Sequence, residues 1–125
     1  MPDPTGHYLN EDMLACIQQC VDCHKACTET TTYCLQMGGH HSEPNHIRLL
    51  IDCAEICQTS ANFMMRGSDL HHFTCGACGE ICDRCAQDCE HVHDGDPSAT
   101  RMAACAAVCR RCAESCRNMA HAMAH

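Results

Sequence analysis

The chain has 125 residues, among them 16 Cys, 11 His and 8 Met, and its formal net charge at pH 7 is −8. This length allows one domain, and the acidic balance argues against nucleic acid or an anionic membrane surface as a partner. Leu, Ile, Val and Phe together make up 16 residues, about 13% of the chain and below the roughly 20% that globular cores usually require. Ordinary apolar burial is therefore excluded as a sufficient account of the fold, and sulfur and the methyl groups of Ala must line the core.

Gly and Pro divide the sequence into four segments, each long enough for one helix. The first segment opens at Asn10, a capping residue followed by the acidic Glu11 and Asp12, which suit the positive end of a helix. It stops at Gly38 and Gly39. The predicted helices cover residues 10–37, 42–66, 68–93 and 96–123.

The other three segments also begin and end with typical boundary residues. The second starts near Ser42-Glu43-Pro44 and closes at Gly67, and the third starts at Ser68-Asp69. The fourth starts at Asp96-Pro97, a cap followed by proline at the first helical position. These residues favour helix throughout the chain.

Cysteine recurs at helical spacing, in steps of three, four and seven residues that place one stripe on each helix. The unit C-x3-C-x2-C-x3-C occurs intact three times, starting at Cys16, Cys78 and Cys105. Strand alternation is absent from the sequence. The stripes contain all the candidate thiolate ligands: Cys16, Cys20, Cys23, Cys27, Cys34, Cys53, Cys57, Cys75, Cys78, Cys82, Cys85, Cys89, Cys105, Cys109, Cys112 and Cys116.

Four helices with short connections predict an all-α fold, an antiparallel up-down-up-down four-helix bundle with a Cys-lined core that spans residues 1–125 as one domain. The antiparallel order predicts which side chains share each end. One end gathers Met37, Cys34, His46, Cys89, His91 and Met102, and the other gathers Met13, Met64, His71 and Met119.

The redox state of the thiols follows from the compartment. Residues 1–10 contain no Lys or Arg and no apolar run of the length that a signal peptide needs, so we expect a cytoplasmic protein without a membrane span. The cytoplasm keeps thiols reduced. Reduced thiols at this density need another occupant, and a metal ion is the candidate.

Soft thiolate and thioether ligands favour Cu(I), zinc or iron–sulfur clusters. Four thiolates around Zn²⁺ leave a surplus of two negative charges, which is costly when repeated through a buried core. Cu(I) carries one positive charge, so about one ion per Cys gives a nearly neutral filling. Charge balance therefore favours multiple Cu(I) ions over zinc.

Two alternatives stay open at this point. Cys75-Gly76-Ala77-Cys78-Gly79 is similar to a zinc knuckle, so the chain could be a structural or sensory zinc-binding module. A thiol redox enzyme is the other alternative, but a Cys nucleophile is normally a single activated residue, and the stripes distinguish none. We therefore expect no enzymatic activity.

The stacked units at Cys16 to Cys27, Cys78 to Cys89 and Cys105 to Cys116 resemble the bacterial four-helix-bundle copper storage proteins, in their cytosolic branch. The resemblance implies a bundle whose core thiolates hold many Cu(I) ions and protect against copper toxicity, with all 16 Cys at ligand positions. It also implies copper carriers as partners and association into homotetramers.

The resemblance further implies one open end where His or Met residues admit copper. We favour Met37, His46, His91 and Met102 as this entrance, because helices one and three finish there in His-rich segments (His40, His41, His91, His93). The opposite end is the alternative, with Met13, Met64, Met65, His71 and Met119.

Several of these side chains also have an ordinary structural interpretation. Met at helical spacing usually fills a core, which applies to Met13, Met64 and Met119. Histidines in loops, such as His40, His41 and His93, are usually solvated. His7 and His125, near the termini, are left out of the candidate set.

Overall fold

The computed structural model describes residues 10–92 and 99–123. Within them are four α-helices and one short 3₁₀ turn, and no strand. The helices are α1 (Glu11–Met37), α2 (Pro44–Met65), α3 (His71–Val92) and α4 (Ala99–Met123), and the 3₁₀ turn (Gly39–Ser42) joins α1 to α2.

The boundaries of α1 and α2 lie close to the predicted ones. The side chain of Asn10 accepts a hydrogen bond of 2.8 Å from the backbone N–H of Met13, and α1 ends at Met37, before Gly38, whose φ of 72° favours glycine. Glu43 caps α2 by accepting hydrogen bonds from the backbone N–H groups of Asn45 and His46. The same cap fixes the first turn of α2, which contains His46.

Helix α3 begins at His71, three residues later than the sequence predicts. Residues 68–70 form a turn in which the backbone N–H of His71 donates to the Ser68 carbonyl at 3.2 Å, and the backbone N–H of Phe73 donates to the Leu70 carbonyl at 3.1 Å. The predicted start of the fourth helix, Asp96-Pro97, lies outside the described residues.

The four helices form a closed ring in which α1 contacts both α2 and α4, and α3 contacts the same two helices. Neighbours run antiparallel: Cys16 Sγ lies 3.7 Å from Cys116 Sγ, whereas Cys27 Sγ, further along α1, lies 3.6 Å from Cys109 Sγ, earlier in α4. The predicted up-down-up-down bundle is therefore confirmed.

Thiols and small side chains fill the core. Every Cys is buried, and none is more than 2% exposed. Among the Leu, Ile, Val and Phe residues in the described ranges, Leu50 is the one that is fully buried, whereas Leu35 and Phe73 are 55% and 67% exposed. Most of the other large apolar residues are partly buried and pack against this core from outside, while sulfur and Ala methyl groups line it, as expected from the composition.

The zinc-knuckle alternative is wrong at the level of the backbone, because α3 continues without interruption through Cys75, Gly76 and Gly79. A Cβ atom at Gly79 would lie 3.0 Å from Arg117 Cγ and 3.3 Å from the Ala113 carbonyl oxygen. Glycine at this position therefore lets α3 and α4 approach each other closely. None of the described helices is both long enough and apolar enough to cross a bilayer.

Candidate metal centre

Fifteen of the Cys side chains line the axis of the bundle, and we call this set the thiol column. Sulfur atoms from different helices come close together along it: Cys20 Sγ lies 3.4 Å from Cys116 Sγ, and Cys78 Sγ lies 4.0 Å from Cys112 Sγ. The column comprises every Cys except Cys34: residues 16, 20, 23, 27, 53, 57, 75, 78, 82, 85, 89, 105, 109, 112 and 116.

Within the thiol column, five groups of sulfur atoms are close enough to share a metal ion, each with all its sulfurs within 4.8 Å of one another. The groups overlap, since Cys23 and Cys53 each belong to two of them. A thiolate that belongs to two groups favours bridged ions over isolated sites. The groups are Cys20-Cys78-Cys112-Cys116, Cys23-Cys53-Cys57-Cys82, Cys23-Cys27-Cys53-Cys109, Cys57-Cys78-Cys82-Cys112 and Cys16-Cys75-Cys116.

Spacing alone would admit zinc, because four thiolates at about 2.3 Å from Zn²⁺ stand about 3.8 Å apart. Charge decides between the two ions. Each tetrathiolate zinc site carries a net charge of about −2, and adjacent sites of this kind in one dry core would repel each other. A monovalent ion of soft character balances one thiolate each, so the chemistry of the column favours Cu(I).

The pKa values of the buried thiols are shifted in both directions, because neighbouring sulfurs share protons through hydrogen bonds. Hydrogen bonds with Cys112 and Cys116 lower the pKa of Cys20 to about 6, and those with Cys116 and Cys16 lower the pKa of Cys75 to about 3. Hydrogen bonds with Cys105 and Cys85, together with burial, raise the pKa of Cys89. Neighbouring sulfurs at these distances cannot all ionise without a counter-charge, because their thiolates would repel one another. Binding of a cation is therefore coupled to loss of thiol protons.

Cys34 contacts two imidazoles and a thioether. Its Sγ is 3.3 Å from His46 Nε2, 3.7 Å from His41 Nδ1 and 3.8 Å from Met102 Sδ. All four side chains are buried. This Cys34 cluster (Cys34, His41, His46, Met102) is a set of soft and borderline donors, the kind that binds Cu(I).

Asp88, on α3, orients the imidazole of His46. Nδ1 of His46 hydrogen-bonds to the Asp88 carboxylate, which leaves Nε2 directed at Cys34. Burial lowers the pKa of His46, but the hydrogen bonds to Asp88 and Cys34 and the charge of Asp88 outweigh it and raise this pKa to about 9.

The structure separates the four residues predicted for the entrance into two pairs. His46 and Met102 contact Cys34. Met37 is 49% exposed at the end of α1, and His91 lies on the surface near the end of α3.

His41, expected to be solvated, is buried at 3% exposure, and its ring stacks on that of the exposed His40 with a centroid distance of 4.8 Å. The burial of His41 could not be predicted from the sequence, because the 3₁₀ turn that folds it inward has no helical periodicity. Asp88 was not among the predicted site residues, although it directly precedes Cys89 at the edge of the Cys stripe. His93, His7 and His125 lie outside the described residues.

At the opposite end of the bundle, the thiol column finishes in the Cys16-Cys75-Cys116 group. Ser60 takes the stripe position on α2, with its Oγ 3.3 Å from Cys75 Sγ. Of the side chains proposed for this end, Met65 is exposed. The others are buried, and we call this set, which the helix register places at this end, the His71 layer: Met13, Met64, His71 and Met119.

Comparison with known proteins gives a family match. A family model described as "Csp: Copper storage protein" matches residues 9–121. Among solved structures, the chain is similar to the Nmul_A1745 protein of Nitrosospira multiformis, with 44% identity over 90% of this chain and 98% of that chain and a TM-score of 0.81.

Two further similar structures are described as copper proteins. The Cu(I)-bound copper storage protein BsCsp3 of Bacillus subtilis is 38% identical, covering 88% of this chain and 99% of that chain, with a TM-score of 0.78. A cytosolic copper storage protein from Streptomyces lividans, loaded with five coppers, is 30% identical, covering 89% of this chain and 93% of that chain, with a TM-score of 0.73.

Proposed function

The chain belongs to the copper storage protein family, and we propose that its 16 core cysteines are the ligands that hold multiple Cu(I) ions, about one per Cys. The overlapping groups of sulfur atoms within the thiol column are the observation that supports this stoichiometry. The role is to hold copper and to protect the cell from its toxicity, without a catalytic step.

We propose that copper enters at the end of the bundle where Cys34 lies. His46, Met102 and His41 surround Cys34 there, so an ion can exchange carrier ligands for imidazole and thioether before it reaches thiolates. Met37 and His91, exposed at this end, are positioned for first contact with the ion or its carrier.

From Cys34 the ion passes inward to the thiol column by ligand exchange. Each new thiolate forms as its proton leaves to solvent, so inward movement proceeds with no accumulation of charge. Leu50 and Ser60 occupy core positions on α2, and the other three helices carry more thiols at their core positions. We therefore expect α2 to contribute fewer Cu(I) ligands than the other helices.

The compartment and the assembly are further parts of the proposal. The cytosolic description of the Streptomyces lividans relative supports a cytoplasmic location. A homo-oligomer, with a tetramer as the specific expectation, is supported by exposed apolar side chains such as Leu70 and Phe73, 56% and 67% exposed. Light scattering after size exclusion measures this directly.

Anaerobic titration of the reduced protein tests the function. With Cu(I) added against a competing chelator, we expect uptake close to one ion per Cys. A parallel zinc titration separates the alternative, since a zinc module would bind about one Zn²⁺ per four Cys and leave most thiols reactive. Uptake of one or two Cu(I) per chain would overturn the storage function.

A further inference from the structure

His71, at the end of the bundle opposite Cys34, has a buried nitrogen without a partner. The residue is 2% exposed, and its Nε2 is the one buried side-chain nitrogen or oxygen in residues 10–92 and 99–123 that lacks a hydrogen bond. Buried polar atoms are nearly always satisfied, so an exception of this kind calls for a ligand or another specific cause.

The other ring nitrogen of His71 fixes which lone pair is available. Nδ1 lies 2.8 Å from the carbonyl oxygen of Ser68. A carbonyl can accept but not donate, so Nδ1 carries the proton and the neutral ring presents an unprotonated Nε2. Histidines that ligate metals typically donate their second N–H to such a group, which fixes both tautomer and ring orientation.

The surroundings of His71 supply soft partners. Cys75 follows one turn later on the same face of α3, and its sulfur belongs to the Cys16-Cys75-Cys116 group. Met13, Met64 and Met119 complete the layer, each about one turn outward from Cys16, Ser60 and Cys116 on its own helix, and all three are buried. The layer thus combines imidazole and thioether next to a thiol group.

We propose that His71 Nε2 and Cys75 Sγ together bind one Cu(I) at this end of the thiol column. The inference rests on the proposed copper function and adds a ligand that is not a cysteine. On binding, the Cys75 thiolate sulfur and the Nε2 lone pair each form a bond to copper, and where Cys75 still carries its proton, the S–H bond breaks and that proton leaves to solvent. Both ends of the column then finish in a mixed imidazole–thiolate site.

Nitrogen NMR of the wild-type chain tests the inference without a mutation. With ¹⁵N-labelled histidine in the reduced protein, the apo-form should show His71 protonated at Nδ1 and not at Nε2. During titration with Cu(I) the Nε2 resonance of His71 should move, and the ring resonances of His72 should stay in place. His72 is the matched reference, because its Nδ1 also bonds a backbone carbonyl, that of Asp69 at 2.9 Å, but its side chain lies away from the core.

Capacity gives a second measurement. His71→Leu keeps an apolar side chain of similar length and removes Nε2, and His72→Leu is the control. At saturation against the chelator, His71→Leu should bind about one Cu(I) fewer per chain than His72→Leu.

The outcomes separate this inference from the proposed function. If the wild-type chain takes up about one Cu(I) per Cys while the His71 resonances remain unchanged to saturation, the His71 site is wrong and the storage function stands. If the wild-type chain takes up one or two ions, both are overturned. The NMR titration decides the question even if His71→Leu does not fold.

Discussion

Asp88, His46 and Cys34 form a chain of polar contacts at one end of the bundle. Asp88 holds Nδ1 of a buried imidazole, and the other nitrogen of that ring lies 3.3 Å from a thiol. Desolvation by itself would lower the pKa of His46, and the carboxylate, together with the hydrogen bond to Cys34, reverses this effect. Asp88 therefore orients the imidazole that borders Cys34 and makes the largest contribution to keeping it charged.

Replacement of this carboxylate has a measurable effect on the apo-protein. In Asp88→Asn, the pKa of His46 should fall from about 9 toward or below its ordinary 6.5, because the charge and the strong acceptor are lost while burial remains. A pH titration of the His46 ring resonances by NMR measures the change.

The same substitution should change how the free energy of unfolding depends on pH. Since the folded-state pKa of His46 lies above its unfolded value, its contribution is fully present below pH 6.5 and is lost as the pH rises through about 9. The difference in free energy of unfolding between wild type and Asp88→Asn should be largest below pH 6.5 and should decrease as the pH rises through about 9. Asp52→Asn, which removes an exposed carboxylate of α2, is the control. An unchanged His46 pKa in Asp88→Asn would contradict the account.

The positions of the four residues predicted for the entrance follow from the sequence to different degrees. His46 and Met102 fall on core stripes, so helical period is sufficient to predict that they approach Cys34. Met37 also falls on its stripe, but it is the last residue of α1, and its side chain is half exposed. His91 is two residues from Cys89, a rotation of about 200° on a helix, which directs it away from the core.

At the scale of the elements, each helix is a rigid wall that carries thiols at a fixed period. The caps at Asn10 and Glu43, the Gly punctuation and the Cys period all point to the same helices, which is why their existence and order could be predicted. The late start of α3 and the 3₁₀ turn depend on loop hydrogen bonds that no periodic pattern contains.

The two glycines of α3 differ in what they contact, and this difference is testable. Gly76→Ala should stabilise the apo-protein by up to about 1 kcal/mol, because alanine favours helix and its Cβ would meet Ala120 Cβ at an ordinary 3.9 Å. Gly79→Ala gains the same propensity but forces a Cβ against the Ala113 carbonyl oxygen at 3.3 Å.

We therefore expect Gly79→Ala to be less stable than Gly76→Ala by about 1 kcal/mol or more. Chemical denaturation of the two reduced variants under identical conditions gives the comparison. Equal stabilisation by both substitutions would show that Gly79 does not set the distance between α3 and α4.

At the scale of the whole molecule, the core is built for ions more than for apolar burial. Leu50 is a rare large aliphatic side chain in it, and thiols occupy most of the axis. A neutral thiol packs like a small apolar group, so the apo-bundle can form, and a thiolate with its Cu(I) is again neutral. The same interior therefore suits both states.

This exchange predicts a constant net charge during loading. Each Cu(I) replaces one thiol proton, so about one proton should be released per ion and the formal charge should stay at −8. Zinc bound by four thiolates would release about four protons per ion and make the protein more negative by about two charges each time. Proton release in weakly buffered solution, with native electrophoresis of the loaded forms, measures both quantities. Loading that made the protein progressively more acidic would contradict a core filled one Cu(I) per thiolate.

Anomalous diffraction at the copper edge, from crystals of the fully loaded protein, tests the central claim most directly because it locates the ions. We predict a row of copper peaks along the bundle axis, from the Cys34 cluster through the thiol column, each within bonding distance of Cys sulfur. Copper confined to exposed side chains such as His40, with no peaks among the core cysteines, would contradict it.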